Sequence, residues 1–173
     1  TNPRLALIWD TTQTLTTKLL YGRAFRAPSF AEMYTRSPVY VGNPDLNPET
    51  IDTWEIAFAV KPTTRLNYGV NLFRYKIDDF ITAVAQPGII GLFSNVGQRT
   101  GTGGEVEFSW LPTDTLKLLG NYSYTHALDD ATGEQVGEFP AHQVYARLEW
   151  LLLPDWKLSP QLNYVGEQQR IGV

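Results

Sequence analysis

The chain has 173 residues and a formal net charge of -4, from 14 Lys and Arg residues against 18 Asp and Glu residues. No basic stripe stands out, which argues against a nucleic-acid partner, and cysteine is absent, which excludes disulfides and thiolate metal sites. No apolar run approaches the roughly 20 residues of a membrane helix. The aromatic fraction of 13% suits the aromatic girdles of a transmembrane β-barrel.

In chain order, apolar and polar residues alternate with the period of two that is typical of β-strands. Between Trp54 and Val60 the even-numbered residues are large and apolar, whereas the odd-numbered ones are Glu or Ala. The pattern recurs along the chain, so we expect an all-β, antiparallel up-and-down meander of about eight strands. The predicted strands lie near residues 3–10, 14–26, 51–61, 65–76, 103–111, 115–126, 141–152 and 156–167.

The predicted connections alternate between short and long. The short ones are Thr11-Thr12-Gln13, Pro62-Thr63-Thr64, Pro112-Thr113-Asp114 and Pro154-Asp155, and the long ones are residues 27–50, 77–102 and 127–140. Outer-membrane barrels have short periplasmic turns and longer extracellular loops. Several strands also reach the 9–11 residues that a tilted strand needs to cross a bilayer. This sorting of loops by length therefore favours a membrane barrel.

Aromatic residues near the predicted strand ends suit the lipid headgroup level. They are Trp9, Trp54, Trp110, Trp150, Trp156 and Tyr164. Two alternatives stay open: a soluble, aromatic-rich β-sandwich or binding module, and a small passive or adhesin-like outer-membrane barrel. The first would bury the apolar face under a second protein layer, and the second would need no energy source.

An ordered set of motifs resembles the late barrel of TonB-dependent receptors. The motifs are Tyr21–Tyr34, Gly42–Thr50, Trp54-Glu55, Phe73–Ile81, Asn95-Val96-Gly97, Gly104–Glu107, Asn121–Thr125 and Pro140-Ala141-His142. The resemblance implies a transmembrane barrel of about 22 strands, closed around an N-terminal plug in a Gram-negative outer membrane. It also implies import, driven by the inner-membrane TonB complex, of a scarce nutrient such as a ferric siderophore, cobalamin, haem or glycan.

The resemblance assigns residues 1–173 to one partial barrel. We expect the plug domain, the early strands and the final strand to be absent, because the chain shows about eight strands and stops at Gly172-Val173. The chain also starts without the charged and apolar regions of a signal peptide. We therefore expect a fragment of a longer receptor, with outer-membrane lipid as a further partner.

Five residues of the predicted outer loops combine aromatic rings with guanidinium groups, which suit an anionic or catecholate ligand through stacking and charge. These ligand-binding candidates are Tyr34, Arg36, Tyr40, Phe93 and Arg99. Loop surfaces also carry such residues without binding anything, so both interpretations stay open. A second group falls on the polar phase of the strands and is expected to face the lumen: Glu55, Glu105, Glu107, Arg147 and Glu149.

Nothing in the sequence predicts catalysis, a cofactor or a metal site. Glu105 and Glu107 share a strand face, but no nucleophile accompanies them, so we expect no enzyme. The two histidines, His126 and His142, are expected to form hydrogen bonds at strand ends rather than to bind a metal. The acidic segment 129–134 lacks the spacing of a calcium-binding loop and is predicted to be a hydrated loop.

Overall fold

The computed structural model describes residues 1–137 and 139–168, and a wall of eight antiparallel strand positions dominates it. Each strand pairs with the next along the wall, and β11 and β12 share the last position beside β10. The wall strands are β1 (Arg4–Thr12), β2 (Leu15–Arg26), β4 (Glu49–Thr63), β5 (Leu66–Asp78), β8 (Gln98–Thr113), β9 (Leu116–Asp129), β10 (His142–Leu153), β11 (Trp156–Leu158) and β12 (Gln161–Val165). No helix in this part of the chain is long and apolar enough to cross a membrane.

The long connections contain secondary structure that the sequence did not predict. Helix α1 (Phe30–Tyr34) and strand β3 (Tyr40–Val41) lie in the first, and strands β6 (Ile81–Gln86) and β7 (Ile89–Asn95) lie in the second. These strands form a separate small sheet in the order β3-β7-β6, with β3 parallel to β7. The predicted long connections therefore contain short helical and strand segments of their own.

The eight predicted wall strands are confirmed, with shifts at their ends. Pro62 and Pro112 lie inside β4 and β8 rather than in turns, and the register shifts beside each of them. Proline has no N–H to donate to the ladder, which explains why a bulge accompanies it. The predicted strand 156–167 is interrupted at Pro160. The chain end at Gly172-Val173, on which the missing final strand was predicted, lies outside the described residues.

The cross-strand register gives the wall one apolar and one polar face, because directly paired residues point to the same side. One row of paired residues runs across the apolar face and consists of Phe58, Val70, Val106, Tyr122, Val144 and Tyr164. The adjacent row runs across the polar face and consists of Lys18, Ala57, Asn71, Glu105, Ser123 and Gln143.

No second protein layer covers the apolar face within the described residues. Val106 keeps 42% of its surface exposed, and Ile56 and Leu148 are only half-buried. A soluble β-sandwich would bury these side chains in a dry core. The buried apolar residues of the described chain instead lie in or beside the long connections: Leu46, Ile81, Ala127 and Val136. The wall therefore has the surface of a sheet that is solvated by lipid on one side.

Candidate functional site at the long-loop end

The long-loop end of the wall consists of α1, the small sheet and the segments that join them to β2, β4, β5 and β8. Close backbone approach holds the small sheet together: a Cβ on Gly91 would lie 2.9 Å from the Ala83 side chain and 3.0 Å from the Tyr40 ring. Tyr40 pairs with Gly91, and its ring lies 5.9 Å from the Phe93 ring, measured between centroids. Glycine at this position thus allows an aromatic pair to form on the sheet.

Helix α1 is short, and its start is fixed by a capping box. The Ser29 hydroxyl accepts a hydrogen bond from the Glu32 N–H at 3.2 Å, and the Glu32 carboxylate accepts one from the Ser29 N–H at 2.6 Å. Two donors that the helix leaves without internal partners are satisfied in this way. At the other end of α1, the carbonyl of the C-cap residue Thr35 accepts a hydrogen bond from the Gly42 N–H at 2.6 Å.

The Arg26 guanidinium at the end of β2 lies between two carboxylates. It donates to Glu49 through Nε and Nη2, both at 2.7 Å, and to Glu32 through Nη1 and Nη2, both at 3.0 Å. Such bidentate, charge-assisted bonds are among the strongest hydrogen bonds in proteins. The hydrogen bonds from Arg26 hold the pKa of Glu32 at about 2, and the same bonds to Glu49 and Glu32 raise the pKa of Arg26.

Glu49 connects this ion cluster to the small sheet. Its side chain is buried, and Oε1 accepts a hydrogen bond from the Ile81 N–H, the first residue of β6, at 2.7 Å. Burial raises the pKa of Glu49, but the hydrogen bonds from Arg26 and from the Ile81 N–H outweigh it, so the pKa lies below its ordinary value. The carboxylate is therefore held in its charged form and links β2 to β6, while Arg26 extends the cluster to Glu32 of α1.

Asn95 forms a second clamp between the two long connections. Its side-chain amide donates to the Asn47 carbonyl at 3.0 Å and to the Asp79 carbonyl at 2.7 Å, and its Oδ1 accepts from the Asn47 N–H at 2.8 Å. Asp79 has a positive φ of 57°, a conformation that Asn and Asp tolerate better than most residues. The clamp fixes the loop before β4 against the turn between β5 and β6.

The structure brings together only some of the predicted ligand-binding residues. Tyr40 and Phe93 are in contact, whereas Arg36 is exposed and forms a bridge with Val41, which points to the opposite face of the small sheet from Tyr40. Tyr34 instead packs on Phe30, with ring centroids 4.9 Å apart. The Arg99 guanidinium lies 3.6 Å from the centroid of the Phe80 ring, on the extension of the wall. The candidates thus form one aromatic pair and three separate positions.

The five predicted lumen residues all lie on the polar face. Glu55 accepts a hydrogen bond from Asn71 at 3.0 Å, and Glu149 forms ion pairs with Arg147 at 2.9 Å and with Lys157 at 3.0 Å. Glu105 and Glu107 form no ion pair within the described ranges 1–137 and 139–168. Strand β8 therefore presents two carboxylates in the middle of the polar face.

The histidines lie on the apolar face, near its long-loop end. The Tyr122 hydroxyl and His142 Nδ1 are 2.8 Å apart, which fits the predicted hydrogen bonding at a strand end. His126 pairs across the ladder with Thr102 on the neighbouring strand. Among the residues that the structure describes, no group of three His, Cys, Asp or Glu side chains is arranged to hold a metal ion.

Sequence reasoning missed Arg26, Glu32, Glu49 and Asn95, which hold the long-loop end together. One signal was available, because Ser29 followed three residues later by Glu32 is the sequence signature of a capping box. Glu49 and Asn95 lie within motifs that carry the family resemblance, but nothing local indicated their role, since their partners lie 32 and 48 residues away along the chain.

The sequence profile of the TonB-dependent receptor-like β-barrel family matches residues 1–172. The chain belongs to this family. It is 25% identical over 190 residues to an iron-regulated outer membrane virulence protein of Vibrio cholerae, covering 98% of this chain and 29% of that protein. It is also 25% identical over 199 residues to heme/hemopexin utilization protein C of Haemophilus influenzae, covering 98% of this chain and 28% of that one.

Solved structures of TonB-dependent barrels have the same fold. The ferric enterobactin receptor PfeA of Pseudomonas aeruginosa superposes with a TM-score of 0.82 at 20% identity, over 96% of this chain and 28% of that one. The copper transporter OprC superposes with a TM-score of 0.80 at 18% identity, over 98% of this chain and 27% of that one. The transmembrane barrel fold and the outer-membrane location are thereby confirmed. These proteins are receptors and transporters, in agreement with a non-enzymatic role.

Proposed function

We propose that this chain forms part of the barrel of an energised outer-membrane receptor that imports a metal chelate, such as a ferric siderophore or haem. The chain spans less than a third of the length of the relatives it matches, so the complete protein would supply the plug, the early strands and the final strand. One observation carries the proposal. The small sheet at the long-loop end presents the Tyr40–Phe93 aromatic pair, here called the platform, at the end of a wall whose apolar face meets lipid.

The platform offers the chemistry that a planar, anionic chelate requires. Tyr40 keeps 45% of its surface exposed beside Phe93, and the exposed Arg36 lies in the same long connection, in a bridge with Val41. Aromatic faces stack on catecholate or porphyrin rings, and guanidinium groups pair with carboxylates. Tyr34 and Arg99 belong to the same proposed surface at its margins. The names of the relatives, which refer to iron regulation and haem, favour the same ligand class.

The polar face would line the lumen. Glu55, Glu105 and Glu107 would face the plug, while Arg147 and Glu149 would form a wall ion pair nearer the short turns. A closed barrel of about 22 strands leaves an interior that a separate plug domain can fill. Energy would reach the receptor through contact between the plug and the TonB complex, which the remainder of the protein would provide.

Uptake by living cells tests the proposal. The complete receptor gene, wild type or variant, would be expressed in iron-limited cells that lack the native copy, with and without TonB. The probes are a radiolabelled ferric catecholate siderophore and haem. We expect TonB-dependent uptake of at least one probe. Removal of both rings by Tyr40→Ala with Phe93→Ala should lower uptake about tenfold at limiting probe, since about 1.4 kcal/mol of lost binding is tenfold.

The control is Phe25→Ala, which removes an aromatic ring with 54% of its surface exposed from the end of β2. This variant should take up the probe like the wild type. Uptake that is equal with and without TonB would contradict the energised receptor and would support the passive barrel instead. Uptake that is TonB-dependent but insensitive to the double substitution would move the ligand surface away from the small sheet.

A further inference from the structure

The apolar face changes character at nearly the same level on β5 and β2, the two strands that flank β4. On β5 the apolar sequence ends at Leu72, and the next residues on that face are Arg74 and Lys76. On β2 the change comes after Tyr21, at Arg23. Cross-strand pairing joins these positions through β4, which separates them.

The level of this change matches the boundary of a bilayer. Strand β5 begins at Leu66 beside a short turn, so Arg74 is its ninth residue and Lys76 its eleventh. A tilted strand crosses the hydrocarbon in about 9–11 residues. Trp54, which pairs with Arg74, keeps 47% of its surface exposed, and its ring lies 5.7 Å from the Tyr21 ring. Aromatic rings of this kind mark the headgroup level.

The cations at this level are incompletely neutralised by the protein. Arg74 is exposed and forms no ion pair within the described part of the chain. Lys76 pairs with Asp78 at 3.0 Å. Arg23 approaches Asp52 only to 3.9 Å, and that carboxylate already accepts a hydrogen bond from the Tyr21 hydroxyl at 2.6 Å.

We propose that Arg23, Arg74 and Lys76, together the interface patch, bind the phosphate of an anionic lipid headgroup in the outer leaflet. Among these three cations, Arg74 forms no ion pair with any described carboxylate, which leaves its guanidinium available at a position where protein meets lipid. Long basic side chains at this height extend toward the headgroups, and Arg binds phosphate bidentately. This surface points away from the lumen face, so the inference goes beyond nutrient uptake.

Lipid binding to the complete receptor in neutral detergent tests the interface patch by native mass spectrometry. The probes are diphosphorylated lipid A, its dephosphorylated form and inorganic phosphate. We expect the wild type to retain lipid A at least about fivefold more tightly than the dephosphorylated lipid, because electrostatic attraction falls with the loss of phosphate charge. Arg74→Gln with Lys76→Gln should abolish this preference.

The control pair is Lys18→Gln with Lys117→Gln, which removes two cations from the polar face and should keep the preference. Equal binding of both lipids by the wild type, or a preference that survives the double substitution, would overturn the proposal. Displacement of the lipid by millimolar inorganic phosphate would overturn it as well, since it would indicate a site for free anions. If the double variant does not fold, Arg74→Gln alone serves, because that side chain is exposed and makes no ion pair in the described structure.

Discussion

The wall and the long-loop end are stabilised in opposite ways. The wall is held by backbone ladders, and its large side chains stay exposed, as with Val106 at 42% and Leu72 at 49%. The long-loop end buries Leu46 and Ile81 and places a buried carboxylate, Glu49, within a hydrogen-bonded ion cluster. One chain thus contains an exposed apolar sheet face and, at the long-loop end, a small buried core with an ion cluster.

The difference follows from the solvent on each side. In hydrocarbon every backbone polar group must be satisfied within the protein, which the continuous ladders of the wall achieve. Lipid covers the apolar face, so no protein core is needed there. At the long-loop end water competes for every polar group, and order depends on specific contacts such as those of Arg26 and Asn95. Substitutions in the two regions should therefore lower stability by different mechanisms: a mismatch with lipid in the wall, and the loss of specific contacts at the long-loop end.

The largest effect is expected for a charge placed on the lipid face of the wall. Phe58 lies on the apolar face of β4, between Trp54 and the short turn after Thr63, and Phe58→Arg should lower the free energy of unfolding by about 2–4 kcal/mol. The measurement is urea unfolding in lipid vesicles. The neighbouring Ala57→Arg, on the polar face, is the control and should cost much less. Equal losses for the two variants would show that the faces are assigned wrongly.

A smaller and local effect is expected for the ion cluster at the long-loop end. Glu49→Gln removes the charge that Arg26 and the Ile81 N–H bind, and it should cost about 1.5–3 kcal/mol. Hydrogen exchange at the Ile81 amide would report the loss, without a change in unfolding of the wall. Asp114→Asn breaks the exposed pair with Arg65, formed at 2.5 Å, and serves as the control. An exposed pair contributes at most about 1 kcal/mol.

The close packing of α1 against Gly42 can be tested by adding one methyl group to that glycine. A Cβ on Gly42 would lie 2.6 Å from the Met33 carbonyl carbon, so Gly42→Ala should displace α1 and cost about 1–3 kcal/mol. We expect faster proteolysis between β2 and β4 and unchanged unfolding of the wall. Gly22→Ala is the matched control, because its nearest neighbour would be 4.0 Å away. Similar protease sensitivity in both variants would argue against a tight contact between Gly42 and the helix.

The smallest effect is a pH dependence confined to the long-loop end. The pKa of Glu32 is lowered to about 2 from an ordinary 4.5, so its contribution is complete above pH 4.5 and is lost as the pH falls toward 2. Since the chain lacks cysteine, Ala31→Cys would carry a spin label on α1. We expect constant label mobility from pH 7 to 5 and an increase below pH 4.5. Loosening between pH 7 and 5 would contradict the assigned pairing.

The sequence predicted the wall well and the long-loop end poorly. Alternation from Trp54 to Val60 identified β4 and its two faces, because the preference of each side chain for lipid or water is expressed residue by residue. The same method gave β11 and β12 as one strand and missed the effect of Pro160. Tyr40 and Phe93 were selected for their chemistry alone, and only the parallel pairing of β3 with β7 brings their rings together.

By itself the sequence determined the strands, their order and the face that meets lipid, since a period of two is a local property of the chain. The tertiary structure decided how the long connections fold. Glu49 reaches Ile81 across 32 residues, and Asn95 reaches Asn47 across 48. Contacts over such separations depend on how the whole wall places its strand ends, and no periodicity in the sequence encodes them.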